Sequence, residues 1–207
     1  ISISPALDDH IIKEQLLEKM AGYLTGSGFN EILTNSITNS RYYTEETLHT
    51  AVKMINSLSA ELDVLRPSML ETGLESIVYN INRKQANLKF FEFGKTYSTD
   101  AVGSYAENNH LSLFVTGNKT EGGWNSKAQK TDFYFIKGTL EKIAAVTGVT
   151  INEFSITANE KLDNAVEIKV RSEVVAIEGA INKATAAKFD CKQTVLYADI
   201  NWDKLME

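Results

Sequence analysis

Apolar residues at Ile11, Ile12, Leu16, Leu17, Met20, Tyr23 and Leu24 recur at helical spacing, which predicts a helix over residues 8–24 with Asp8 or Asp9 as its cap. Gly26 and Gly28 end it. Residues 29–37 read as a strand, 41–48 as a short helical turn and 52–55 as another strand. Leu70, Leu74, Ile77, Val78 and Ile81 share one side of a helix expected over 70–83, and a strand follows at 88–97. The polar stretch 98–109 is expected to be the loop of a long antiparallel hairpin whose second strand is 111–116. A second polar connection, 117–131, contains Trp124. Ile136, Leu140, Ile143 and Ala144 form the inner face of a helix at 133–147. Beyond it the pattern is mostly extended, at 153–157, 165–170, 174–181 and 195–200, with a helix at 183–189. There is no internal repeat and no low-complexity tract. This order is that of an α+β fold, an antiparallel β-sheet flanked by helices.

The chain has 207 residues, enough for one large domain burying roughly 70% of its unfolded surface. With 43% hydrophobic residues, 23% charged and two prolines, the composition is that of a globular protein. No apolar run approaches the roughly 20 residues that cross a bilayer, and the N-terminus lacks the order of a signal peptide, so a cytoplasmic location and no membrane partner are expected. Cys191 is the only cysteine, which excludes an internal disulfide and a cysteine-rich zinc site. A core position suits it better than a catalytic role, since no His is near it in sequence. The 21 basic and 27 acidic residues give a net charge of -6, the wrong sign for a domain built to grip phosphates. Any RNA contact must be local. Residues 1–7 read as linker and 8–207 as the module, and the start at Ile1 suggests a fragment of a longer protein.

Five stretches carry a resemblance, in the same order, over about residues 8–206. Gly28-Phe29-Asn30-Glu31-Ile32-Leu33-Thr34 follows the first helix, and Asn56-Ser57-Leu58-Ser59 makes a turn in which Ser57 replaces a proline. Residues 65–97 run from Leu65-Arg66-Pro67 through Asn80-Ile81-Asn82-Arg83 to Phe91-Glu92-Phe93-Gly94-Lys95. Asp132-Phe133-Tyr134-Phe135-Ile136-Lys137-Gly138 opens a helix, and Asp199-Ile200-Asn201-Trp202-Asp203-Lys204-Leu205 closes the chain. Together they resemble the catalytic-like module of the bacterial phenylalanyl-tRNA synthetase beta subunit. That resemblance implies a class II aminoacyl-tRNA synthetase-like core, with Arg66, Asn80, Arg83, Glu92, Gly94, Lys137 and Gly138 as structural motif residues.

Class II enzymes activate an amino acid by attack of its carboxylate on the α-phosphate of ATP, so fixed cations must meet the negative charge. In the family pattern one arginine follows the motif 2 strand and another lies in a glycine-rich motif 3. Here Ser98 stands at the first position, and after residue 150 there are only Gly179 and Arg171, in an unsuitable order. The core is therefore expected to lack the motif 2 and motif 3 catalytic residues. The hairpin has no lysine or arginine between Lys95 and Lys119, while Asp100 and Glu107 add negative charge, so weak or no binding of tRNA(Phe) by the isolated module is expected.

Other residues admit bland readings. Arg66 suits a carboxylate partner such as Glu61 or Glu92 better than a ligand, and Arg83 suits a helix end. His10, His49 and His110 have no acidic or cysteine partner at ligand spacing, which favours solvent or strand-end positions over a metal site. Lys137, on a first helical turn near Asp132, suits a surface or hinge contact. The 153–160 region and the Asp199 and Asp203 pair suit a solvated face better than magnesium ligands. Asn35 replaces the motif 1 proline found at class II dimer interfaces.

No catalytic, cofactor or metal residue is expected in the module. The resemblance implies that ATP and Mg sit at the alpha subunit, and that alpha packs on the first helix and following strand within an α2β2 assembly. The apolar stripe of that helix is wider than one sheet face requires, which makes Ile12, Leu16, Met20, Tyr23, Phe29 and Ile32 the candidate interface, with Ile12 and Met20 placed outward by the helical wheel. The alternative is a free-standing synthetase-like pseudo-enzyme that regulates or binds an effector.

Overall fold

The computed structural model describes residues 9–56, 59, 61–101 and 103–206, with side chains from Lys13 onward. The expected linker 1–7, the side chains of Ile11 and Ile12, and Ser57 and Leu58 lie outside the described residues. Helix α1 (Asp9–Gly26) leads into the short strand β1 (Asn30–Glu31). The turn between them needs a left-handed residue, supplied by Gly28 at φ 84. After β2 (Ile37–Thr38), a 3-10 turn (Ser40–Tyr42), α2 (Glu45–His49) and β3 (Val64–Leu65) comes α3 (Leu70–Ile81). Strands β4 (Leu88–Ala101) and β5 (Ser104–Thr116) make a long hairpin, and β6 (Asn118–Thr120) and β7 (Gln129–Lys130) a small one. Helix α4 (Phe133–Thr147) is capped by Asp132, whose side chain accepts from the Phe135 amide at 2.9 Å. Strands β8 (Glu153–Ile156), β9 (Leu162–Val170) and β10 (Glu173–Ile181), helix α5 (Lys183–Lys188), β11 (Val195–Asn201) and α6 (Trp202–Met206) complete the chain.

Seven strands form one sheet in the order β1-β4-β5-β11-β10-β9-β8. Every neighbouring pair is antiparallel except β1 with β4, which runs parallel. Side chains alternate across a strand, so each strand feeds two cores. On one face Phe91, Leu111, Leu113, Ala198 and Ile200 pack against Met20 and Leu24 of α1, Ile136, Leu140 and Ile143 of α4, and Trp202 and Leu205 of α6. On the other, Phe90, Phe114, Val195 and Tyr197 pack against Leu70, Leu74 and Ile77 of α3, with Ala186 of α5 at the margin.

Several expectations change at this level. Residues 98–109 are mostly strand: Tyr97 pairs with Glu107, Ser98 with Ala106 and Thr99 with Tyr105. A strand whose side chains are polar on both faces carries no hydrophobic alternation, and backbone pairing alone keeps it extended. The strand expected at 29–37 is reduced to β1 and β2, and 52–55 contributes one bridge, Lys53 to Val64. Strands β3, β6 and β7 and helix α6 were not anticipated; all are short. Met20 is fully buried and Phe29 nearly so, both inside the domain's own core, which overturns the outward placement of Met20 and removes Phe29 from the exposed interface. The reason is phase: Met20 and Leu24 lie one helical turn apart on the face that meets the sheet.

Candidate functional site

The sheet face that carries α3 is polar beyond its apolar patch, and its centre is an ion pair. Arg66 Nη1 lies 2.9 Å from Glu92 Oε1, with side chains 2% and 0% exposed. The guanidinium also donates through Nε to the Lys95 carbonyl at 2.8 Å and through Nη1 to Thr34 Oγ1 at 2.6 Å. The Thr34 hydroxyl donates in turn to Glu92 Oε2 at 2.8 Å, and its amide donates to Glu92 Oε1 at 3.1 Å. Thus the loops after β1 and β3 are clamped onto β4. Gly94 belongs to the same clamp: a Cβ there would collide with Arg66 Nη2 and Met69 Cε. Of the two carboxylates proposed for Arg66, Glu92 is its partner.

Further along the same face a second chain of hydrogen bonds crosses three strands. Ser112 Oγ donates to Asp199 Oδ1 at 2.8 Å, His110 Nδ1 is 3.1 Å from that oxygen, and His110 Nε2 is 2.9 Å from Thr96 Oγ1. The register that sets Ser112 opposite Asp199 gives His110 an acidic partner from a strand 89 residues away. Asp203 accepts from the Asn109 amide at 2.8 Å and from its side chain at 2.9 Å. Both aspartates are therefore held within the fold. Ser98 continues the row of Glu92, Gly94 and Thr96 on β4.

Asn80 and Arg83 bond within α3 and its C-terminal end. Asn80 donates to the Ser76 carbonyl at 2.8 Å, and Arg83 donates to the Tyr79 carbonyl at 3.0 Å while its guanidinium lies 3.3 Å from the Tyr79 ring centre. Arg83 thus completes the C-terminal end of α3, as a cation there should. Lys137 sits 3.9 Å from Glu141 and 4.3 Å from the centre of the Phe154 ring. A Cβ at Gly138 would meet nothing, so no packing inside this domain requires a glycine there. Cys191 is half-buried, and burial pushes its thiol pKa up, which suits an inert thiol.

Sequence reasoning missed two buried carboxylates, Glu71, which pairs with Lys161 at 2.6 Å, and Glu178. Glu178 on β10 has no exposed surface, and neither carboxylate oxygen has a hydrogen-bond partner. Burial raises its pKa from 4.5 to about 7, with Lys137 opposing the shift and Glu141 adding to it. The signal was a lone carboxylate inside the otherwise apolar run 174–181.

At the sheet edge, Leu16, Tyr23 and Ile32 remain half-buried. Leu17, Ala21 and Phe93 floor a hollow of about 590 Å³ beside α1, rimmed by Glu14, Glu18 and Glu31. Leu33, next to Ile32, is 90% exposed. No helix among the described residues is long and apolar enough to cross a membrane, and no group of three metal-ligating side chains occurs among them.

Comparison with known proteins fits this geometry. Residues 8–202 match the family described as the phenylalanyl tRNA synthetase beta chain CLM domain. The phenylalanine–tRNA ligase beta subunit of Bacteroides thetaiotaomicron is 34% identical over 96% of this chain and 26% of its own length. That of Bacteroides fragilis is 35% identical over 93% of this chain and 25% of its length, so the chain spans about a quarter of these relatives. Among solved structures, pyrrolysyl-tRNA synthetase from Desulfitobacterium hafniense superposes with a TM-score of 0.71 at 16% identity, covering 94% of this chain and 68% of that one, which shows a shared class II fold. With the matched span running from the first helix through β11, the chain belongs to the catalytic-like module family of the phenylalanyl-tRNA synthetase beta chain.

Proposed function

We propose that this module supplies position and no chemistry to a phenylalanine–tRNA ligase. It packs against the catalytic alpha subunit in an α2β2 assembly in the cytoplasm, where alpha holds ATP and Mg and the whole enzyme charges tRNA(Phe). The observation that carries the reading is the fate of the cations on the polar sheet face. Arg66, the guanidinium at its centre, is buried with Nε and Nη1 committed to Lys95, Thr34 and Glu92. Ser98 offers a hydroxyl at the position where the family pattern places the α-phosphate arginine. Glu92 and Asp199 add negative charge to the same face. Such a donor set does not fit a triphosphate, whose charge must be met by fixed cations as it grows in the transition state.

Support for the partner comes from the hollow beside α1, whose apolar floor of Leu17, Ala21 and Phe93 adjoins half-buried Leu16. A packed interface would remove this floor from water. Placing a carboxylate at its centre would bury an unpaired charge, which costs several kcal/mol (order of magnitude). Leu17→Asp in the full-length beta subunit is therefore expected to leave the free subunit folded, with a modestly lower melting temperature because Leu17 also packs on the core, and to abolish co-elution with alpha in size-exclusion chromatography. Normal co-elution at micromolar concentration would remove α1 from the interface. Met20→Asp, by contrast, puts the charge in the core and tests the fold alone.

A further inference from the structure

A second hollow, about 730 Å³, runs from the end of β1 along α3, with the loop 32–42 as one wall and Glu75, Ser76 and Tyr79 on the other. Its chemistry is acidic and unfinished. The Tyr42 hydroxyl donates to the Glu75 carboxylate. Burial and Glu75 raise the pKa of that tyrosine to about 12, with a smaller push from Glu61, which lines the same hollow. Among the described residues neither Glu61 nor Glu75 has a cation at ion-pair distance. Of the cations near it, Arg83 stacks on Tyr79, Lys188 reaches the Tyr42 carbonyl at 3.4 Å, and exposed Arg41 acts on Asp63. Thr38, which also lines the hollow, is 3% exposed, and its hydroxyl faces that of buried Tyr43.

The lip of the hollow is apolar. Leu33 stands 90% exposed, and Tyr79 is more than half exposed. Ile32, a candidate interface residue, lines the same hollow, so it is continuous with the edge on which the partner subunit is placed. A small cation would answer the carboxylates and leave Leu33 in water. A nucleic acid would set its phosphates against two carboxylates. A protein segment carrying a basic side chain beside an apolar surface answers both features.

We propose that the hollow between the 32–42 loop and α3 is a docking surface for a segment of the alpha subunit, which seats an arginine or lysine between Glu61 and Glu75 and covers Leu33. The inference rests on the alpha-subunit reading above and adds a second, electrostatic contact to the apolar one beside α1.

The test uses the full-length beta subunit and alpha, with E61Q/E75Q and L33D variants, and reads the dissociation constant at 50 mM and 500 mM salt. All three side chains are exposed, so both variants are expected to melt as the parent does. E61Q/E75Q is expected to weaken assembly by about tenfold at low salt, with a smaller deficit at high salt. L33D is expected to weaken it by about tenfold or more at both. If both variants assemble like the parent while Leu17→Asp fails, this docking surface is rejected and the subunit reading stands. If Leu17→Asp also assembles normally, both fall. Weakening by L33D alone would keep a contact there and reject the cation. A rise in the melting temperature of the free beta subunit with millimolar Mg²⁺ or spermidine, lost in E61Q/E75Q, would assign the site to a small cation and overturn the proposal.

Discussion

Arg66→Ala is expected to destabilise the domain by about 3–5 kcal/mol, because it strands the Glu92 carboxylate in the interior without its counter-ion. The loss goes beyond Coulomb attraction. Arg66 also supports the Lys95 carbonyl and the Thr34 hydroxyl, and removing it leaves those groups short of donors. For a domain of this size each kcal/mol lowers the melting temperature by roughly 2–4 °C, so a fall of about 10 °C is expected. The pair is buried, so added salt should change this deficit little. Arg66→Leu with Glu92→Leu should cost far less than the two single changes summed, since the double variant strands no charge. Urea unfolding of the four proteins measures the coupling. A single Arg66→Ala variant within about 1 kcal/mol of the parent would remove the clamp from the account.

Glu178→Gln is expected to do the opposite, increasingly as pH rises from 4.5 to 7. The folded-state pKa of about 7 lies above the ordinary 4.5, so between these values the folded protein holds a proton that the unfolded chain has released. Stability from this group is therefore full below about pH 4.5 and is lost as pH rises through 7. A displacement of this size corresponds to about 3 kcal/mol once the group is ionised. The variant should gain up to that amount over the parent at pH 8 and little at pH 4.5, because glutamine has the same shape and no charge to desolvate. Denaturant unfolding at the two pH values checks it. An equal offset at both would mean that the carboxylate does not titrate in this window.

The parts of this fold that hydrophobic periodicity marks were legible in the sequence: α3 and α4 through their inner-face leucines and isoleucines, and β10 and β11 through apolar runs. The outer half of the β4–β5 hairpin was not, because Thr96, Ser98, Asn108 and His110 follow the rhythm of backbone pairing and not of burial. The Arg66 partner was narrowed to two glutamates before the structure placed it on Glu92. Thr34, which completes that clamp from 58 residues before Glu92, had no local signal. The same holds for Ser112 and Asp199, whose meeting depends on β11 lying beside β5. Met20 shows the converse failure. A wide apolar stripe does not say which of its residues face the sheet, since that depends on how α1 is set on Phe91 and Leu111.

We propose that the polar sheet face, although it has the class II layout, offers adenylate formation only a guanidinium already committed to Glu92 and its neighbours. Phenylalanine-dependent exchange of labelled pyrophosphate into ATP, measured on the purified beta subunit alone and on its complex with alpha, tests this most directly. Exchange by the complex and none above a heat-inactivated control for beta alone is the predicted result; exchange by beta alone above that control would contradict it.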